Sequence, residues 1–178
     1  MMKLISPTDS FRITSGFGPR WGRSHDGVDI SVSSGTIARA PKAGIVKTAS
    51  FEDNRCGGTI IIEHGPVAEM GGNMRTSYCH MRAIFVKEGD YVRKGQKIGE
   101  TGGRTKKQFP PSGDKGAGNS TGPHLHFGVR KNGSWVDPEE YYRAGVLRES
   151  IAVELSQIAL FSVMVGGVIY FTTKLFTR

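Results

Sequence analysis

GPHLHFGV, residues 122–129, places two imidazoles on either side of Leu125. In a strand, successive side chains point to opposite faces, so His124 and His126 share one face and Leu125 takes the other. Working outward, short β-branched or alternating segments recur between Phe11 and Asp137, punctuated by glycine: 27–32, 36–40, 44–50, 58–64, 75–80, 91–92, 97–100 and 124–130. Brief strands separated by turn signals predict a mainly β domain, an antiparallel sheet or sandwich. Residues 66–73 read as a break in a hairpin, and residues 103–122, rich in Gly, Ser, Lys and Pro, as a long loop forming a wall of a binding site or lacking order. Asp137, Pro138 and Glu139-Glu140 follow the order of a helix start.

Twenty-five glycines among 178 residues, without a three-residue repeat, exclude collagen and favour turns. The net charge of +8 calls for a polyanionic neighbour. Lys and Arg are scattered, with no basic run longer than two residues, as at Lys106-Lys107, and no RNA-binding or zinc-finger motif accompanies them, so nucleic acid is not the expected partner. Cys56 and Cys79 are too few for a disulfide framework and are expected as free thiols. Met1 to Ile13 contains Lys3, Asp9 and Arg12 and does not read as a secretion signal.

The sequence LSQIALFSVMVGGVIYFTT, residues 155–173, carries no formal charge over nineteen residues. As a helix it would reach about 28 Å, the thickness of a bilayer core. Tyr170 and Phe171, followed by Lys174 and Arg178, fit an interfacial belt with a charged stop. The expected organisation is a folded domain over 1–145, a linker over 146–154 and a transmembrane helix over 155–173. Ser162 and Gly166 have the spacing that lets two such helices approach, implying weak self-association. The lipid bilayer is thus an expected partner, and the expected location is a membrane. Arg143 and Arg148 balance Lys174 and Arg178, leaving the orientation of the span open.

His25 and Asp29 enclose Asp26-Gly27-Val28, a turn leading into a strand, which can deliver one imidazole and one carboxylate to the ion that the paired histidines face. Two nitrogens and one oxygen suit Zn²⁺, and three protein ligands leave a fourth tetrahedral position for water, the arrangement of a catalytic zinc site. A structural site would normally be closed by a fourth ligand, usually cysteine. Amide hydrolysis near neutral pH needs an activated nucleophile, and zinc lowers the pKa of a water it binds to about 7 from about 15.7. No HExxH motif supplies a glutamate base, and imidazoles are the groups that can transfer a proton or stabilise an oxyanion near pH 7, though His80 by itself reads as a half-buried histidine in a hairpin. His64, in IIIEHGP, reads as a polar residue at a strand end; Tyr78 either lines the site or packs; Asp26 and Asp114 read as solvated loop residues.

SGFGPRWGRSHDGVDI, YCHM and STGPHLHFGVRKNGSWVDP together resemble the LytM or lysostaphin-type zinc endopeptidases of peptidoglycan, the M23 peptidases, from about Ile13 to Pro138. The resemblance implies one Zn²⁺ held by His25, Asp29 and His126, catalytic roles for His124 and His80, and bacterial peptidoglycan as substrate. Two other readings use the same residues. A LytM-like scaffold that has lost catalysis would act as a binding, regulatory or structural protein. VKEGDYVRKGQKIGETG, residues 86–102, resembles the half-domain of biotinyl and lipoyl carriers, but no Met-Lys pair, the common setting of the lysine those carriers modify, stands at the opposite turn. The loop before STGPHLHF is longer than the family pattern.

Overall fold

Thirteen strands form in the computed structural model, which describes residues 4–20, 22–52, 55–67, 72–107 and 113–141. They are β1 (Ile13–Ser15), β2 (Gly18–Arg20), β3 (Arg23–His25), β4 (Val28–Ile30), β5 (Ile37–Arg39), β6 (Gly44–Phe51), β7 (Gly58–Val67), β8 (Gly72–Cys79), β9 (Met81–Ile84), β10 (Tyr91–Val92), β11 (Lys97–Thr101), β12 (Leu125–Lys131) and β13 (Ser134–Val136). The main sheet runs β1-β4-β12-β8-β7-β6-β10, with β13 also paired to β12; β5-β11-β9 make a second sheet and β2-β3 a hairpin. Every pairing is antiparallel.

Alternation separates the core from the site. On β12, Leu125, Phe127 and Val129 are fully buried, while His126 between them and Arg130 after them are only half-buried. On β4, Val28 and Ile30 go into the same core and Asp29 takes the other face. Ile60, Ile62, Met74 and Tyr78 of the main sheet share this core with Ala38, Met81 and Ile98 of the second sheet, so the two sheets meet across one apolar layer. Tyr78 packs edge-on against Phe127 at 5.2 Å and its hydroxyl donates to the Arg39 carbonyl at 3.2 Å, tying the sheets together. Burial pushes its phenol pKa up. Of the two readings of Tyr78, packing is the one observed.

Three expectations need correction. The hairpin does not break after His64: pairing resumes at Pro66↔Asn73 and Val67↔Gly72 beyond an irregularity in register, which Gly65, at φ 67°, accommodates. Cys56 and Cys79 are not free thiols but a disulfide, with Cα atoms 4.7 Å apart. The cause is local: the His80 N–H donates to the Cys56 carbonyl at 2.8 Å, bringing the residue before His80 onto Cys56. Asp114 is no solvated loop residue, since Oδ2 accepts from Ser34 Oγ at 2.8 Å and from the Arg104 N–H at 3.0 Å. The helix start is as read: residues 138–141 are helical and the Glu139 N–H donates to Asp137 Oδ1 at 2.9 Å. The linker over 146–154 and the span over 155–173 lie outside the described residues. Among the described residues no helix is long and apolar enough to cross a membrane.

Candidate metal and catalytic site

Three strands deliver the candidate ligands. His25 ends β3, Asp29 is the central residue of β4, and His126 on β12 is the register partner of Asp29. Gly27 makes the approach possible, because a Cβ there would meet the Phe127 carbonyl oxygen at 2.5 Å and the His126 ring at 3.0 Å. A side chain at this turn would push β4 from β12 and separate the ligands.

The three atoms converge. His25 Nε2 lies 3.1 Å from Asp29 Oδ1 and 3.0 Å from His126 Nδ1, and His126 Nδ1 lies 2.9 Å from the same carboxylate oxygen. His25 Nδ1 contacts the Gly16 carbonyl at 2.6 Å; a carbonyl only accepts, so Nδ1 carries the proton and Nε2 presents a lone pair. A lone pair, a carboxylate oxygen and a second imidazole nitrogen gathered at one point are the donor set of a borderline metal ion such as Zn²⁺. The residues therefore fit the ion. Burial alone would raise the Asp29 carboxyl; hydrogen bonds to His126 and His25, with the charges of His124 and His25, outweigh it and hold the group well below the usual carboxylate range. Arg20 also reaches this carboxylate, 3.5 Å from Oδ2, while hydrogen-bonding Ser15.

His124 and His80 stand beside these ligands with rings 4.7 Å apart, edge to face. His124 Nδ1 donates to the Gly122 carbonyl at 2.7 Å, with Ser120 Oγ at 3.3 Å, leaving Nε2 3.7 Å from Asp29 Oδ1. His80 Nδ1 donates to the Ala117 carbonyl at 2.8 Å and the ring is 8% exposed. Burial, followed by the neighbouring imidazoles of His124 and His126, pushes its pKa down to about 4, so it is neutral at pH 7. His80 has φ 62°, a conformation few side chains other than Asn, Asp or His adopt. All five residues singled out from sequence therefore line one groove of about 1030 Å³.

Sequence reasoning did not reach what orients them. The Gly16, Ala117 and Gly122 carbonyls leave no side-chain signal. The second half of the 103–122 loop is packed, with Ala117 and Ser120 each 7% exposed, and its backbone lies against Gly57 and Gly58 so closely that a Cβ on Gly57 would meet the Gly116 oxygen at 2.3 Å. That seam makes this segment a wall of the groove. His64 and Asp26 stay out of the candidate metal group, as read.

Comparison with known proteins places the chain among peptidases by sequence and fold. The chain is 33% identical over 141 residues to the DD-carboxypeptidase/endopeptidase Mpg of Neisseria meningitidis, covering 75% of this chain and 28% of that protein. Its fold is similar to a zinc containing peptidase from Vibrio cholerae (TM-score 0.60, 31% identity, 76% of this chain and 39% of that one). It is also similar to the catalytic domain of lysostaphin from Staphylococcus simulans (TM-score 0.58, 30% identity, 75% and 92%). The chain spans from a fifth to about a third of the length of the curated relatives it matches first. Residues 23–138, from the hairpin that carries His25 to the capped helix start, match the model of peptidase family M23, and the chain belongs to that family.

Proposed function

We propose that this chain is a zinc-dependent endopeptidase cutting peptide bonds in the stems or cross-links of bacterial peptidoglycan, anchored in a bilayer by residues 155–173. The observation that carries the reading is the convergence of His25 Nε2, Asp29 Oδ1 and His126 Nδ1 within 3.1 Å, with two further imidazoles opening on the same groove. The names of the relatives, a DD-carboxypeptidase/endopeptidase and lysostaphin, support the substrate class. The uncharged stretch at 155–173 supports the anchor, in an envelope or virion membrane.

The three ligands would hold one Zn²⁺, which when bound polarises the scissile carbonyl and acidifies a water. The remaining work falls to the chain. His124 and His80, each with Nδ1–H committed to a backbone carbonyl, present Nε2 as an acceptor. One takes the proton of the attacking water at Nε2; the resulting imidazolium holds it beside the reacting centre and passes it to the leaving amine. The burial that keeps His80 neutral keeps it ready to accept. Ala117 and Gly122 fix both rings, so little reorientation is needed during reaction.

The test uses the full chain in detergent, with metal content measured by mass spectrometry and purified peptidoglycan as substrate. About one zinc per chain and release of new peptide amines, abolished by a chelator and restored by zinc, are expected. Zinc-loaded protein that binds peptidoglycan without cutting it would overturn the enzyme reading in favour of a LytM-like binding protein.

A further inference from the structure

Beside the candidate metal ligands, on the flank of His25, lies a recess of about 460 Å³ lined by Arg20, Arg23, Ser24, His25 and Arg55. Among the described residues no carboxylate lines it, and neither do His80 or His124. It shares Arg20, Ser24, His25 and Arg55 with the main groove, so it is a side chamber of the same site. Three guanidinium groups meet there, against a cost: Arg20 and Arg23 are direct register partners in the β2–β3 hairpin, and like charges placed opposite each other destabilise a ladder. Arg20 is partly relieved by Asp29 Oδ2 at 3.5 Å. Arg23 and Arg55 are exposed, and among the described residues neither has an ion-pair partner. Arg55 is nonetheless held by its backbone, since its carbonyl accepts from the Asn119 N–H at 3.0 Å and its neighbour Cys56 is bridged to Cys79.

We propose that this recess is a receptor for a free carboxylate on the substrate peptide, close to the scissile bond on the His25 side. The inference rests on the hydrolase reading above and adds what the enzyme selects. A planar guanidinium has its donors in a fork that matches a carboxylate, and it has no acceptor to offer an amide N–H. A neutral side chain in the chamber would displace water from Arg23 and Arg55 and return no hydrogen bond to them. A carboxylate returns two acceptor oxygens and removes the repulsion between Arg20 and Arg23. Stem peptides carry free carboxylates both on side chains and at the chain end, and these are the two sources to separate.

The experiment measures kcat/KM of the full-length, zinc-loaded protein on matched stem peptides: one with all carboxylates free, one with the side-chain carboxylate next to the scissile bond amidated, and one with only the terminal carboxylate amidated. One amidation is expected to lower kcat/KM by about tenfold, the scale of a charge-assisted hydrogen bond, and thereby identifies the source. In the double variant Arg23→Ala, Arg55→Ala that acid-to-amide ratio should fall to within about twofold of unity, with thermal melting checking the fold. Arg23→Lys, Arg55→Lys should keep part of the preference, because charge remains while the fork is lost. Equal rates on all three peptides, or the same ratio in wild type and the double alanine variant, would overturn the receptor. If no peptide is cut, calorimetric titration separates the two ideas. Acid binding weakened by both amidation and the double variant would keep the receptor and sink the hydrolase; binding indifferent to both would sink the receptor.

Discussion

His64 and His80 are two buried histidines with the same depressed basicity and opposite uses. His64 on β7 is 7% exposed, and both ring nitrogens are taken: Nδ1 donates to the Ala43 carbonyl at 3.0 Å and Nε2 accepts from Thr76 Oγ1 at 2.8 Å. Burial pushes its pKa down to about 4, as it does for His80. His80 has one nitrogen on the Ala117 carbonyl and its ring against those of His124 and His126, at 4.7 and 6.4 Å. A neutral buried imidazole does not mark a site. The nitrogen left over after packing is satisfied does, when it opens on other groups in the same condition.

The sharpest break of this comparison comes from the ligands on which the contrast depends. His126→Ala, His25→Ala or Asp29→Ala is expected to remove zinc and activity together, read by metal analysis and peptide release, while His64→Ala keeps zinc. Full zinc occupancy in His126→Ala would undo the ligand assignment.

Next in size is His80→Asn, chosen because Asn tolerates the backbone conformation at φ 62°. It should retain zinc and lose at least about 10²-fold in kcat, the scale for removing a proton-transfer group, and His124→Ala should behave alike. A His80→Asn enzyme with wild-type kcat would place His80 with His64 as a packing residue.

His64→Ala reverses the pattern. Buried Thr76 and the half-buried Ala43 carbonyl lose their hydrogen bonds, so stability should drop by about 2 kcal/mol in a denaturant titration, with kcat/KM within about twofold of wild type. A large kcat loss in a folded His64→Ala protein would erase the distinction.

The smallest effect sharpens the comparison through pH. The folded-state pKa of His64, about 4, lies below the ordinary 6.5, so the unfolded chain takes up the proton first. The stability this neutral imidazole allows is present above pH 6.5 and is lost as pH falls from 6.5 towards 4, at up to about 1.4 kcal/mol per unit. His64→Gln should flatten that acid slope by this amount. An unchanged slope would show that His64 takes up its proton equally easily folded and unfolded.

The central strands were legible because alternation writes burial directly into the chain: Leu125 inward, His124 and His126 outward. The short strands β1, β2, β3, β9 and β13 were not, since three or four residues with at most one of them buried carry no period and become strands through their partners. The five candidate residues that the groove gathers stand out in the sequence as residue types at characteristic spacings. Their orientation does not, because it is set by the carbonyls of Gly16, Ala117 and Gly122 and by the backbone turn at His80. The disulfide escaped because pairing Cys56 with Cys79 requires the chain after β6 to fold back onto the end of β8, a closure that neither cysteine's neighbours encode.

Arg104 and Asp114 exchange two hydrogen bonds: the Asp114 N–H donates to the Arg104 carbonyl at 2.5 Å, and Asp114 Oδ2 receives the Arg104 N–H at 3.0 Å. Ser34 on the body of the fold holds the same carboxylate at 2.8 Å. Arg104 and Asp114 thus form a tied neck, and the seam that orients His80 lies wholly after it. A change of length between Arg104 and Asp114 is therefore expected to leave the orientation of the histidines unchanged. The chain has a position where diversification is mechanically uncoupled from chemistry, and an inserted segment, an affinity tag or a second binding module could be carried there.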